Sequence, residues 1–237
     1  MILSHLLELR ARLIHCLLFF LLVFAVFFIW APEFFNLLMT PLLHVLPHEH
    51  PMIATNITTP LLTPITLAAQ AAFLCSVPYF LYHLWRFVTP GLFQHERRFF
   101  ARFFILSFLL FILGGLFCFY GLLPWIFYMM VHVLPQGVQL MPDMANASYF
   151  VTHWIILIGL FFQIPLVCLV LVRFNHVSLD TLRVIRPYII VLAFVLGMLL
   201  TPPDVISQIL LALPLWGLFE LGVFLARFCL DKTVEPH

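Results

Sequence analysis

Six apolar runs, most of them close to the length that crosses a lipid bilayer, constrain this chain more than any other feature of its sequence. A helix rises about 1.5 Å per residue, so roughly 20 apolar residues traverse a hydrocarbon core of about 30 Å with every backbone hydrogen bond closed inside the segment. The runs lie near residues 13–30, 65–85, 103–123, 149–172, 187–200 and 205–226. Of the 237 residues, 64% are hydrophobic and 9% charged, a balance foreign to a water-soluble domain. With no Gly/Ser-rich or long polar segment between the runs, residues 1–237 read as a single all-α domain, an integral membrane bundle of six transmembrane helices. The first run exceeds a signal peptide's apolar core and lacks a small-residue cleavage site after it, so it reads as a retained span.

Orientation follows from the basic residues, which disfavour translocation and collect in cytoplasmic loops. All eleven fall on one side: Arg10 and Arg12 before the first span, Arg86, Arg97, Arg98 and Arg102 between the second and third, Arg173, Arg183 and Arg186 between the fourth and fifth, and Arg227 and Lys232 after the sixth. The opposite loops, about 31–64 and 124–148, carry only Glu33, Glu49 and Asp143. Both termini are therefore expected in the cytoplasm.

The 187–200 run is short, about 21 Å of helix, and the TPPD turn of 201–204 leads straight into the sixth span. Two readings stay open. Either the bilayer thins beside this hairpin, or the turn sits in a watery hollow that spares Asp204 from hydrocarbon; alternatively the fifth helix starts near Asp180 and carries Arg183 and Arg186 at the interface. Small residues Ala68, Ala72 and Ser76 recur every fourth position on the second span, a stripe read as helix packing.

Enzymatic chemistry finds no footing. The only lysine is Lys232, and no G-x-x-x-x-G-K-[ST], H-E-x-x-H or G-x-S-x-G occurs. Cys16, Cys75, Cys118, Cys168 and Cys229 are scattered through apolar runs, which argues against disulfides and zinc. His44, His48, Glu49 and His50 could ligate zinc or copper, but their Pro-flanked spacing is unspecific and a solvated loop is the preferred reading. No cofactor and no nucleic acid is implied.

Glu8 and Glu96 sit among arginines in HLLELRAR and FQHERR. Composition alone favours local pairs, Glu8 with Arg12 and Glu96 with Arg97 or Arg98, each worth about 0.5 kcal/mol. The functional reading is that these carboxylates grip guanidinium groups of a partner in bidentate geometry, with Phe87 adding an apolar or cation-π surface. Within the membrane, Gln163 and Gln208 are expected to hydrogen-bond between helices and Glu220 to snorkel toward the cytoplasmic surface.

The carriers of a family resemblance are HLLELRARL (5–13), MTPLL (39–43), the loop FVTPGLFQHERR (87–98), RPYIIVLAFVLGMLLTPPDVISQ (186–208) and LFELGVFLARF (218–228). Through them the chain resembles the TatC family, the large polytopic subunit of the twin-arginine protein translocase. The resemblance implies a glove-like fold with a concave face. It implies recognition of twin-arginine signal peptides, export of folded proteins on the proton motive force, and TatA and TatB as single-span partners in an oligomeric complex. Carried over by position, Glu8, Glu96, Arg10 and Phe87 belong to the signal-peptide surface. Met198, Thr201 and Gln208 match the patch where a partner's helix docks, and Gln163 is placed with them. Pro41 matches a proline of the first exterior loop and Asp204 the acid of the exterior turn.

Gln163 departs from the glutamate common at that position, so no titrating carboxylate stands there. The absence of a transit peptide before HLLELRARL favours a bacterial inner membrane. The alternative from a different class is a small-solute secondary transporter, suggested by broken helices and buried polar residues. The lack of an internal repeat weighs against it.

Overall fold

The structure is a computed structural model that describes residues 2–43, 52–53, 59–88, 97–132, 141–173, 177–200 and 205–231. Its helices are α1 (Ile2–Ile29), α2 (Ala31–Leu43), α3 (Thr59–Val88), α4 (Arg97–Phe117), α5 (Leu123–His132), α6 (Met144–Phe161), α7 (Ile164–Arg173), α8 (Leu179–Leu200) and α9 (Val205–Asp231). They supply six stretches long and apolar enough to cross a membrane: Leu9–Ile29, Leu62–Leu84, Phe103–His132, Met144–Arg173, Leu179–Leu200 and Gln208–Phe228. Among the described residues the architecture is all-helical, apart from one isolated bridge between Ile53 and Asp143.

The chain divides into two compact units, Met1–Leu109 with Leu134–Ile156, and Leu110–Val133 with Leu157–His237. In the first, α1 and α3 run antiparallel in contact. Phe19 stacks on Tyr79 with ring centroids 4.4 Å apart, and nearer the N-terminus Arg12 Nη1 donates to the His83 carbonyl at 3.2 Å. The short helix α2 buries Leu38, Met39, Pro41 and Leu42 while exposing Pro32, Glu33 and Asn36. Beyond it, Ile53 N–H donates to Pro142 O (3.2 Å) and Met144 N–H to Ile53 O (3.0 Å), which ties the segment between α2 and α3 to the start of α6. Asp143 starts that helix by accepting the Asn146 N–H at 3.1 Å, satisfying a donor that the first turn leaves over.

In the second unit two proline-containing spans stay continuous by local adjustment. A proline ring meets the carbonyl four residues earlier, and here the widened π turn Cys118–Leu122, closed by Leu123 N–H on Cys118 O, lies directly before Pro124. The third span therefore runs through to His132, past the 123 expected from the sequence. The fourth breaks at Phe162 and Gln163, two residues before Pro165, where Gln163 N–H tightens onto Leu160 O and Gln163 O accepts both Leu166 and Val167 N–H, each at 3.0 Å. Next to this break the helices cross closely. A Cβ on Gly159 would stand 2.6 Å from the Phe111 ring, and one on Gly114 2.8 Å from Phe162.

The fifth span takes the earlier of its two possible starts. Ser178 Oγ accepts the Thr181 N–H (3.1 Å) as an N-cap, and α8 then runs 22 residues, about 33 Å, with Arg183 paired to Asp180 at 3.1 Å in its first turns. That length crosses a hydrocarbon core without local thinning. A core of Cys168, Val172, Leu182, Phe219, Val223 and Ala226 unites α7, α8 and α9.

Candidate functional site

The α8/α9 hairpin brings together two of the described candidate residues, Met198 and Gln208. Two antiparallel helices joined by a short turn bring residues equidistant from the turn to the same level. Gly197 lies four residues before Thr201 and Gln208 four after Asp204, and they meet: a Cβ on Gly197 would stand 3.0 Å from Gln208 O and 3.1 Å from its Cγ. This approach seats the Gln208 amide, whose Nε2 donates to Phe194 O at 2.9 Å. An interhelical bond of this kind within a membrane is worth about 1 kcal/mol. Met198 is 67% exposed on the next position of α8. Together with Val191, Val195 and Leu199 it forms an exposed apolar ridge along the helix.

A second level of the same hairpin holds charge. Arg186 lies fifteen residues before Thr201 and Glu220 sixteen after Asp204, and Arg186 Nη2 donates to Glu220 Oε2 at 2.8 Å. Glu220 is thus held across to α8. The sequence reading has it reaching toward the cytoplasmic surface and names no partner; counting outward from the TPPD turn is the signal that finds the pair.

Gln163 is buried, 4% exposed, in the broken turn of the fourth span. Pro41 is buried inside α2, and Arg10 is exposed on α1. Glu8 and Phe87 belong to α1 and α3, with only their backbone described. Glu96, Thr201, Asp204 and the His44, His48, Glu49 and His50 cluster lie outside the described residues. Sequence reading passed over one polar contact in the first unit, Thr152 Oγ1 donating to Gln70 Oε1 at 3.2 Å; two polar side chains on different membrane-length helices were its only signal. Among the described residues no group of three or more His, Cys, Asp or Glu side chains is placed to hold a metal.

Comparison with known proteins gives a consistent match. The family profile for the Sec-independent protein translocase protein (TatC) matches residues 4–214. The chain is 39% identical over 231 residues to the Sec-independent protein translocase protein TatC of Escherichia coli (strain K12), covering 98% of this chain and 90% of that one. With the Haemophilus influenzae protein of the same name it shares 40% identity over 234 residues, covering 99% and 91% of the two chains. Its backbone superposes on the crystal structure of the twin arginine translocase receptor TatC with a TM-score of 0.79 at 34% identity, covering 94% of this chain and 98% of that one. These similarities give the small-solute transporter reading no support.

Proposed function

The chain belongs to the TatC family, and from that premise we propose the detailed reading of how it works as receptor and core subunit of a twin-arginine translocase. A family of translocase components places it as a multi-pass protein of the bacterial inner membrane and not as an enzyme. Family membership is the observation that carries the reading.

In its finer form, both termini face the cytoplasm and the chain is a single domain within an oligomeric complex. Glu8 and Glu96 accept hydrogen bonds from the adjacent guanidiniums of a twin-arginine signal peptide, with Arg10 and Phe87 flanking them. Planar guanidinium matches carboxylate with two parallel bonds, whereas the lysine ammonium is a point charge, so this chemistry separates paired arginines from paired lysines. TatA and TatB dock their single helices at Met198, Thr201 and Gln208, Gln163 contributes to the same polar set at depth, and folded cargo crosses on the proton motive force.

Support for docking at the hairpin comes from its two faces. Gln208 is fixed inward on Phe194 O, which holds α8 and α9 together, while Met198 is presented outward as a flexible apolar contact. A partner helix can pack there without first reorganising the hairpin.

The test is export in a bacterial strain lacking its own TatC, using one folded cargo with a twin-arginine signal and the same cargo with a twin-lysine signal. Export of the first and loss of the second is expected. Equal export of both would overturn the proposed recognition chemistry.

A further inference from the structure

Besides the hairpin and the signal surface, the first unit carries a hollow of about 390 Å³ in the furrow between α1 and α3. Its walls include Leu13, Cys16 and Leu17 from α1 and Phe73, Ser76 and Phe80 from α3. Three features of this furrow point to one class of ligand.

The first is its size. Taking a methylene to occupy roughly the 30 Å³ of a water molecule, the hollow holds about 13 of them, most of one acyl chain.

The second is its charged end. Leu13 adjoins Arg12, and Phe80 lies one turn before His83, whose carbonyl accepts from Arg12 Nη1. The guanidinium, with five N–H donors in a planar fork, therefore stands where the furrow ends. One turn on, His15 donates through Nδ1 to Ala11 O at 2.6 Å, and the ring is exposed.

The third is the Ser76 hydroxyl. Ser76 is only 8% exposed in the wall of the hollow, and its Oγ has no hydrogen-bond partner. An orphan hydroxyl in an apolar wall is a cost that an acceptor oxygen removes. Seven residues, about 10 Å of helix, separate Ser76 from His83.

We propose that this furrow is a binding site for an anionic phospholipid of the leaflet at the Arg12 end. One acyl chain lies between α1 and α3, the phosphate meets Arg12 and His15, and an ester carbonyl reaches toward Ser76. A zwitterionic lipid fills the slot equally well and gains less from the guanidinium, so the site selects by headgroup charge. The occupant also explains how α1, whose most apolar stretch buries no residue inside the chain, is held in register with α3 over a hollow.

The probe is phosphatidylglycerol carrying a diazirine on its acyl chain, added to the purified full chain in phosphatidylcholine nanodiscs, with labelled peptides mapped by mass spectrometry. Label is expected to concentrate on α1 near Leu13–Leu17 and on α3 near Phe73–Phe80, and to be displaced by excess phosphatidylglycerol. Arg12→Gln should lower it about five-fold, the factor for one basic side chain at an anionic headgroup. Arg12→Lys should retain it, and a phosphatidylcholine probe should label both variants and parent alike. Label spread evenly over the six spans, or undiminished in Arg12→Gln, would overturn the site. So would crosslinks from the furrow to a co-purified single-span protein in place of lipid. Cys16→Trp, which fills the slot, should abolish labelling at Phe73–Phe80, and persistence there would also count against the proposal.

Discussion

Arg186 and Glu220, thirty-four residues apart in sequence, meet at 2.8 Å and tie the start of the fifth span to the later part of the sixth. Both side chains are partly accessible, 42% and 31%, which places the pair between a surface bridge worth less than about 1 kcal/mol and a buried one whose breakage costs 3–5 kcal/mol. Glu220→Gln and Arg186→Gln should each lower stability in detergent by about 1–2 kcal/mol, with the double variant losing less than the sum. Size-exclusion thermal-shift assays on the four proteins measure the coupling directly. Strict additivity would mean the pair contributes nothing as a pair.

The contact between Gly197 and Gln208 leaves no room for a side chain. Gly197→Val puts branched carbons where the Gln208 backbone carbonyl and Cγ now lie, 3.0 and 3.1 Å from a single Cβ, so the hairpin must splay. A loss of about 1–3 kcal/mol is expected, the usual range for overpacking. Gln208→Leu keeps the volume and forfeits the bond to Phe194 O, a smaller loss of about 1 kcal/mol. Thermal inactivation of the purified variants should therefore rank Gly197→Val below Gln208→Leu.

How much of this was legible beforehand differs from feature to feature. The six spans were readable because a bilayer tolerates little besides long apolar helices. Their ends were not, because the cost of a proline depends on how the neighbouring backbone adjusts to it. At Pro124 a π turn relieves the clash, and at Pro187 the ring sits inside α8, after a helix start that Ser178 and Thr181 could have signalled. Gln208 was expected to bond between helices, and it does; the partner of Glu220 was missed because it emerges only from the register of the hairpin. Glu8 and Glu96 are singled out by motif alone, and their receptor role is a proposal, since neither hydrophobic periodicity nor charge count separates a receptor carboxylate from a local ion pair.

Close helix crossing in the second unit gives a sharper contrast between two glycines. A Cβ at Gly159 would lie 2.6 Å from the ring of Phe111, itself buried and unable to swing into open space, whereas one at Gly217 meets nothing within 4 Å. Gly159→Ala should destabilise by about 1–3 kcal/mol. Gly217→Ala should be neutral or stabilise by up to about 1 kcal/mol, because alanine restricts the unfolded chain and favours helix. Parallel melts of the two variants test the crossing, and equal behaviour would refute it.

For the proposed receptor surface, Glu96 offers the cleanest separation of charge from shape. Glu96→Gln keeps the volume and the hydrogen-bonding oxygen but removes the negative charge and one of the two acceptors that a guanidinium fork engages. Truncating one side of such a charged pair typically costs 2–5 kcal/mol, so binding of a twin-arginine peptide should fall at least about thirty-fold. Glu96→Ala should be no better, and Glu8→Ala, with Glu96 intact, should retain more binding than either. Site-specific crosslinking from position 96 to the signal peptide reads proximity, while titration with labelled peptide reads affinity. Geometry alone would leave Glu96→Gln near the parent, whereas charge recognition predicts that Glu96→Gln and Glu96→Ala fall together. A twin-lysine peptide should already bind weakly to the parent and lose little further in Glu96→Gln, because a point charge never formed the paired bonds that the substitution removes.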